Sequence, residues 1–154
     1  PSMHESRRTI KHNLCALWCS LILGLFVTGC SDTSDEDQIK ENIQTLQIAV
    51  ESESPNDFID ILDKGFLGNQ QFNRILIKKY LILNFMRHSD IKIRITHTNI
   101  IINKSDTSLA TANIKVILTG GKGLLPEQGR LMDIQSHWVK KDNKWVVKIA
   151  HWTR

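Results

Sequence analysis

The sequence predicts an α+β domain: three N-terminal helices followed by a four-stranded antiparallel sheet, with one strand bent. Two observations carry that prediction. Apolar residues recur at helical spacing from Ile39 to Phe85, then alternate with period two from Ile91 to His151. A two-residue turn at Asp142-Asn143 pairs the last two strands so that alternation and cross-strand register select the same face. A third observation bounds the domain: an uncharged apolar run near the start ends in small residues and a cysteine.

That run, Leu14 to Val27, follows the basic residues Arg7, Arg8 and Lys11 and leads into Val27-Thr28-Gly29-Cys30. A basic region, a short apolar stretch and a small-residue cleavage site define a secretory signal. Its 14 residues fall short of the roughly 20 that a membrane-crossing helix needs. The pattern before Cys30 resembles the lipobox of bacterial lipoproteins. That resemblance implies cleavage after residue 29, a diacylglycerol thioether on Cys30 and acylation of the new amino terminus, which together make a stable membrane anchor. Ser31, rather than Asp, after the lipidated cysteine implies the outer membrane over the inner, facing the periplasm. The expected divisions are a signal at 1–29, a lipidated tether at 30–36 and a domain at 37–154. Cys15 and Cys19 leave with the signal, so the domain has no disulfide and is stabilised by its core. Without the signal, 17 basic face 15 acidic residues, a net of +2. They are spread along the chain, which argues against a nucleic-acid partner.

The helices come first. Ile39, Ile43, Leu46 and Val50 make one amphipathic stripe, and Ser34 with Asp37 can cap its start. Ser54-Pro55 opens a second, short helix, with Phe58, Ile61 and Leu62 inward and Gly65 at its end. Asn73 to His88 reads as a third, apolar on most sides and therefore expected to be the most buried.

The strands follow. Ile91, Ile93 and Ile95 alternate, then the parity flips to Ile100 and Ile102, which predicts a β-bulge at His97 to Asn99. Ala110, Ala112, Ile114, Val116 and Leu118 form the inner face of the next strand, and Gly120 to Gly129 a hairpin loop. Met132, Ile134, Ser136 and Trp138 face inward on the third strand, and Trp145, Val147, Ile149 and His151 on the last. The Asp142-Asn143 turn then sets Lys141 opposite Lys144, Trp138 opposite Val147 and Ile134 opposite His151.

This order of elements, ending in Trp138-Val139-Lys140-Lys141-Asp142-Asn143-Lys144-Trp145, resembles the nuclear-transport-factor-2-like superfamily, also called SnoaL-like or cystatin-like, over about residues 36–154. The segments 118–126 and 85–88 look like a proteobacterial lipoprotein branch of it. The resemblance implies three helices packed on a curved, bent four-stranded antiparallel sheet that forms a conical pocket. Ile114, Val116, Ile134, Trp138, Val147 and Ile149 would line that pocket. Fold alone does not choose among the isomerases, dehydratases, cyclases and binding modules built this way.

Three functional expectations result. In the first, the domain is non-catalytic and binds a small apolar ligand or an envelope protein, because pocket carboxylates and a first-helix Tyr of the ketosteroid isomerase kind have no counterpart. In the second, His151 acts as a general base and Tyr80 as a hydrogen-bond donor in an isomerase, dehydratase or cyclase. In the third, the sheet's outer face (His137, Val139, Val146, Trp152) pairs two copies. Asp133 and His137 share that outer face, where a solvated position explains them. The tip at Leu124, Leu125 and Pro126 either touches lipid or a partner, or folds back on the core. No His or Cys spacing suits a metal, and no cofactor is expected.

Overall fold

The structure is a computed structural model that describes residues 33–120 and 129–153. Helix α1 (Asp35–Glu51) begins where Ser34 Oγ accepts the Asp37 amide at 3.1 Å. Asp35 and Glu36, expected in the tether, therefore belong to its first turn, where acidic side chains suit the positive end of the helix dipole. Asp35 also fixes that end to the sheet. Its carboxylate takes Lys140 Nζ at 2.7 Å and the Trp145 indole N–H at 3.0 Å, and these two hold its pKa below the usual value, Lys140 foremost.

Helix α2 (Pro55–Asp60) is shorter than expected. Gly65 does not end it, because Leu62–Gly68 is a strand, β1. Asn69 and Gln70, both at positive φ, turn the chain into the two-residue strand β2 (Phe72–Asn73). Asn73 then caps α3 (Arg74–Arg87) by accepting the Leu76 amide at 2.9 Å. Strands β3 (Lys92–Ile102), β4 (Leu109–Thr119), β5 (Arg130–Lys141) and β6 (Lys144–Thr153) follow. The sheet thus has six strands, ordered β2-β1-β6-β5-β4-β3, with β1 parallel to β6 and the other pairs antiparallel. The four-stranded meander is its larger part, and β1 and β2 extend it along β6.

β1 escapes a period-two reading because it is irregular. Five steps from Leu62 to Leu67 face only two from Val147 to Ile149. Asp63 organises the excess: Oδ1 accepts the Gly65 amide at 2.9 Å and Oδ2 the Lys141 ammonium at 2.5 Å. Buried Asp63 has its pKa lowered first by Lys141, then by the Gly65 amide, with burial opposing both. A depressed carboxylate stabilises the fold above its ordinary value of 3.8 and loses that contribution as pH falls through the lower folded-state value. Lys141→Met should therefore cost about 1–2 kcal/mol near neutral pH, where half-exposed Lys141 is partly screened. The gap to wild type should narrow as pH falls below 3.8 and through the lower folded-state value; urea unfolding at neutral and acid pH measures it.

Two bulges set which residues face the helices. In β3, Ile95 pairs Val116 and His97 pairs Lys115, leaving Thr96 as the extra residue, one position before the expected window. In β6, Trp138 pairs Val147 as expected, but His137 pairs Ile149, so Lys148 is extra. Beyond it the parity is reversed. Ile134 lies opposite Trp152, not His151, and His151 lies opposite Gln135. Ala150 and Trp152 face the helices; Ile149 and His151 do not. Asp142 and Asn143 turn at positive φ between Lys141 and Lys144, as the sequence requires.

The core lies between α1 and the concave sheet face, around Ile39, Ile43, Ala112, Val116, Trp138 and Val147. Helix α3 is not its most buried helix. It packs on α2, β1 and β2 at the sheet's edge, so only Ile77 and Leu81 are buried. Ile75, Leu83 and Met86 are 66%, 52% and 80% exposed. Among the described residues no helix is long and apolar enough to cross a membrane.

Candidate functional site

The concave face and the three helices line a half-open cavity of about 480 Å³, within the range usual for small-molecule sites. Each β-strand of the meander contributes its inner parity: Ile93 and Ile95, then Ile114 and Val116, then Met132 and Ile134, then Val147 and Trp152. The helices supply Leu46 and Val50, Phe58, and Ile77 and Leu81. Trp138 crosses the floor, its indole N–H donating to Ser136 Oγ at 2.8 Å. The Ser136 hydroxyl in turn donates to the Ala112 carbonyl at 3.3 Å, so both groups are satisfied within the wall.

Few polar groups face the interior. Gln47 is committed to the Ile93 carbonyl at 2.8 Å, and the Asn84 amide donates to Tyr80 O at 2.7 Å. Arg130, His88 and Tyr80 complete the described polar lining, which contains no Asp or Glu. His88 Nδ1 is sealed from solvent with no hydrogen-bond partner among the described residues. Among the described residues no three His, Cys, Asp or Glu side chains gather as a metal site would require.

The expected site residues divide. Ile114, Val116, Ile134, Trp138 and Val147 line the cavity, and so does Tyr80, whose ring lies 5.6 Å from Phe72. Ile149 and His151 do not, because the Lys148 bulge turns them to the other face. The expected His151–Tyr80 pair therefore shares no cavity. Trp152, expected on the outer face, lines the cavity instead and packs at a tilt against Phe72, ring centroids 5.7 Å apart. His137 does lie outside, its Nδ1 3.2 Å from Thr111 Oγ1, with Val139 and Val146 on the same parity. Asp133, also outside, pairs with Lys115 at 3.1 Å. Cys30, Leu124, Leu125 and Pro126 lie outside the described residues. Substituting His151→Ala should change stability by no more than about 0.5 kcal/mol and leave ligand affinity untouched; paired unfolding and binding titrations check both.

His88 and Arg130, with Gln47 and Asn84, are polar lining residues that the sequence reading does not place in the pocket. Arg130 carried a signal: it continues the inward parity of Met132 and Ile134. His88 follows the last residue of a helix, and no periodicity points it inward.

No family model and no curated protein matches this sequence. Solved structures do. A nuclear-transport-factor-2-like protein of unknown function from Pseudomonas putida aligns with TM-score 0.66 at 14% identity, over 77% of this chain and 84% of that one. An uncharacterised cystatin-like protein from Caulobacter vibrioides gives 0.64 at 16% identity, over 77% and 87%. A Novosphingobium aromaticivorans protein with a provisional scytalone dehydratase name gives 0.64 at 14% identity, over 76% and 81%. The likeness is one of fold, and relatives of that fold include proteins named as enzymes beside proteins without an assigned role.

Proposed function

We propose that this chain, whose domain has the nuclear-transport-factor-2-like fold, is a lipid-anchored binding module of the bacterial envelope. It takes a small apolar ligand in its cavity without transforming it. One observation carries the reading: an apolar interior of about 480 Å³ whose described lining holds no carboxylate to accept or supply a proton. Acylated Cys30 would hold the domain in the periplasm, at the outer membrane rather than the inner, as Ser31 implies. Four residues reach at most roughly 14 Å when fully extended, so a lipid on Cys30 would keep α1, which begins at Asp35, close to the membrane. Mass spectrometry of full chain extracted from cell envelopes tests both halves. The expected result is an acylated peptide starting at Cys30 and a stoichiometric apolar molecule in the organic phase. An unmodified thiol with residues 1–29 attached would refute the anchor, and ligand-free protein would refute the cargo.

A second contact, with an envelope protein, is favoured by α3. Ile75, Leu76, Leu83 and Met86 project from one side of that helix with Lys79 among them, an apolar patch that a monomer seldom leaves open. A photocrosslinker at Met86 should capture a partner in intact cells. A crosslink only to itself would make that partner a second copy.

A further inference from the structure

We infer that the cavity ends in an anion site formed by Arg130, in a wall that His88 completes, and that its ligand is a hydrocarbon chain terminating in a carboxylate. This rests on the binding reading above and specifies its ligand.

Arg130 opens β5 opposite Leu118, which pairs Ile93 on the next strand. Ile93, Leu118 and Arg130 thus form one row across three strands, and all three line the cavity. A guanidinium is charged at every accessible pH and presents five donors. Part-buried on the apolar parity of a concave face, it can present those donors to an anion that enters the cavity. The described lining offers no carboxylate for that role.

His88 approaches the same end from the helical side. It stands three residues before Ile91, also a lining residue, in the connection from α3 to β3. That connection presses on the end of β4. Gly120 lies at φ 89°, with its Cα so close to the Asp90 carbonyl oxygen that a Cβ would not fit. The close approach brings the segment carrying His88 to the Leu118–Arg130 end of the meander. There the His88 ring closes the wall, its Nδ1 sealed and without a partner among the described residues, and Arg130 supplies the donors. A fork of parallel donors fits a carboxylate in two-point contact, and the remaining lining is suited to a hydrocarbon tail.

The test uses the full chain in lipid nanodiscs, with empty nanodiscs as blank, and titrates dodecanoate against 1-dodecanol. Dodecanoate should bind about tenfold or more tightly than the alcohol. Arg130→Met should erase that preference while keeping the alcohol's affinity, and Arg130→Lys should retain part of it. Equal wild-type affinities for the two probes would overturn the anion site and leave the apolar cavity standing. A preference that survives Arg130→Met would overturn the assignment of Arg130. Saturable binding of neither probe would overturn the binding reading itself. Should Arg130→Met fail to fold, Arg130→Lys with the wild-type comparison decides.

Discussion

Trp138→Ala should destabilise the domain by about 3–5 kcal/mol, a large share of the 5–15 kcal/mol typical of a domain. Trp138 is 2% exposed at the centre of the sheet, between Ala110 on β4 and Val147 on β6. Truncation removes its apolar area and enlarges a void that already exists beside it, so the site has little capacity to collapse around the loss. It also deprives the Ser136 hydroxyl of the indole donor at 2.8 Å, although that hydroxyl keeps its own bond to Ala112. Equilibrium urea unfolding measures the cost. A loss below about 1 kcal/mol would mean that the indole is not packed as described.

Phe66→Ala should cost a similar amount, about 3–5 kcal/mol. Phe66 is 4% exposed and belongs to β1, the strand laid parallel to β6. Its ring packs into the core and the cavity wall together. Were this segment the loop after a helix ending at Gly65, the same substitution would fall within the half-kilocalorie scatter of surface changes. The unfolding midpoint of this variant therefore discriminates directly between the six-stranded sheet and the four-stranded one.

These two residues mark the boundary of what the sequence makes legible. Trp138 sits on a hairpin whose turn residues, alternation and register all point the same way, and its pairing with Val147 forms as read. The bulge in β3 was also legible, because Ile93 and Ile95 before it and Ile100 and Ile102 after it leave only one way to keep isoleucine inside. The bulge at Lys148 was not. Beyond it, either Ile149 with His151 or Ala150 with Trp152 would make a plausible inner face, and simple alternation selects the wrong pair. That single extra residue moved His151 out of the site and Trp152 into it.

β1 was hidden for another reason. A parallel partner far along the chain leaves no turn signal, and the Asp63–Gly65 turn removes the period of two. Helix α3 was misjudged because hydrophobicity measures what a helix would bury, whereas its place at the sheet edge limits what it does bury. Of the cavity itself, the β4 and β5 walls followed from parity. The polar end did not, since Arg130 reads as an ordinary strand start until its row with Leu118 and Ile93 is known.

A binding role requires above all an interior that admits a guest. Trp138 and Trp152 both line it, so a bromine-bearing hydrocarbon titrated into the full chain should quench tryptophan emission saturably at about one molecule per chain. Val116→Phe, which builds a ring into the void, should abolish that quenching while the protein still unfolds cooperatively. Quenching that rises linearly without saturation, or that persists unchanged in the folded Val116→Phe variant, would contradict the account.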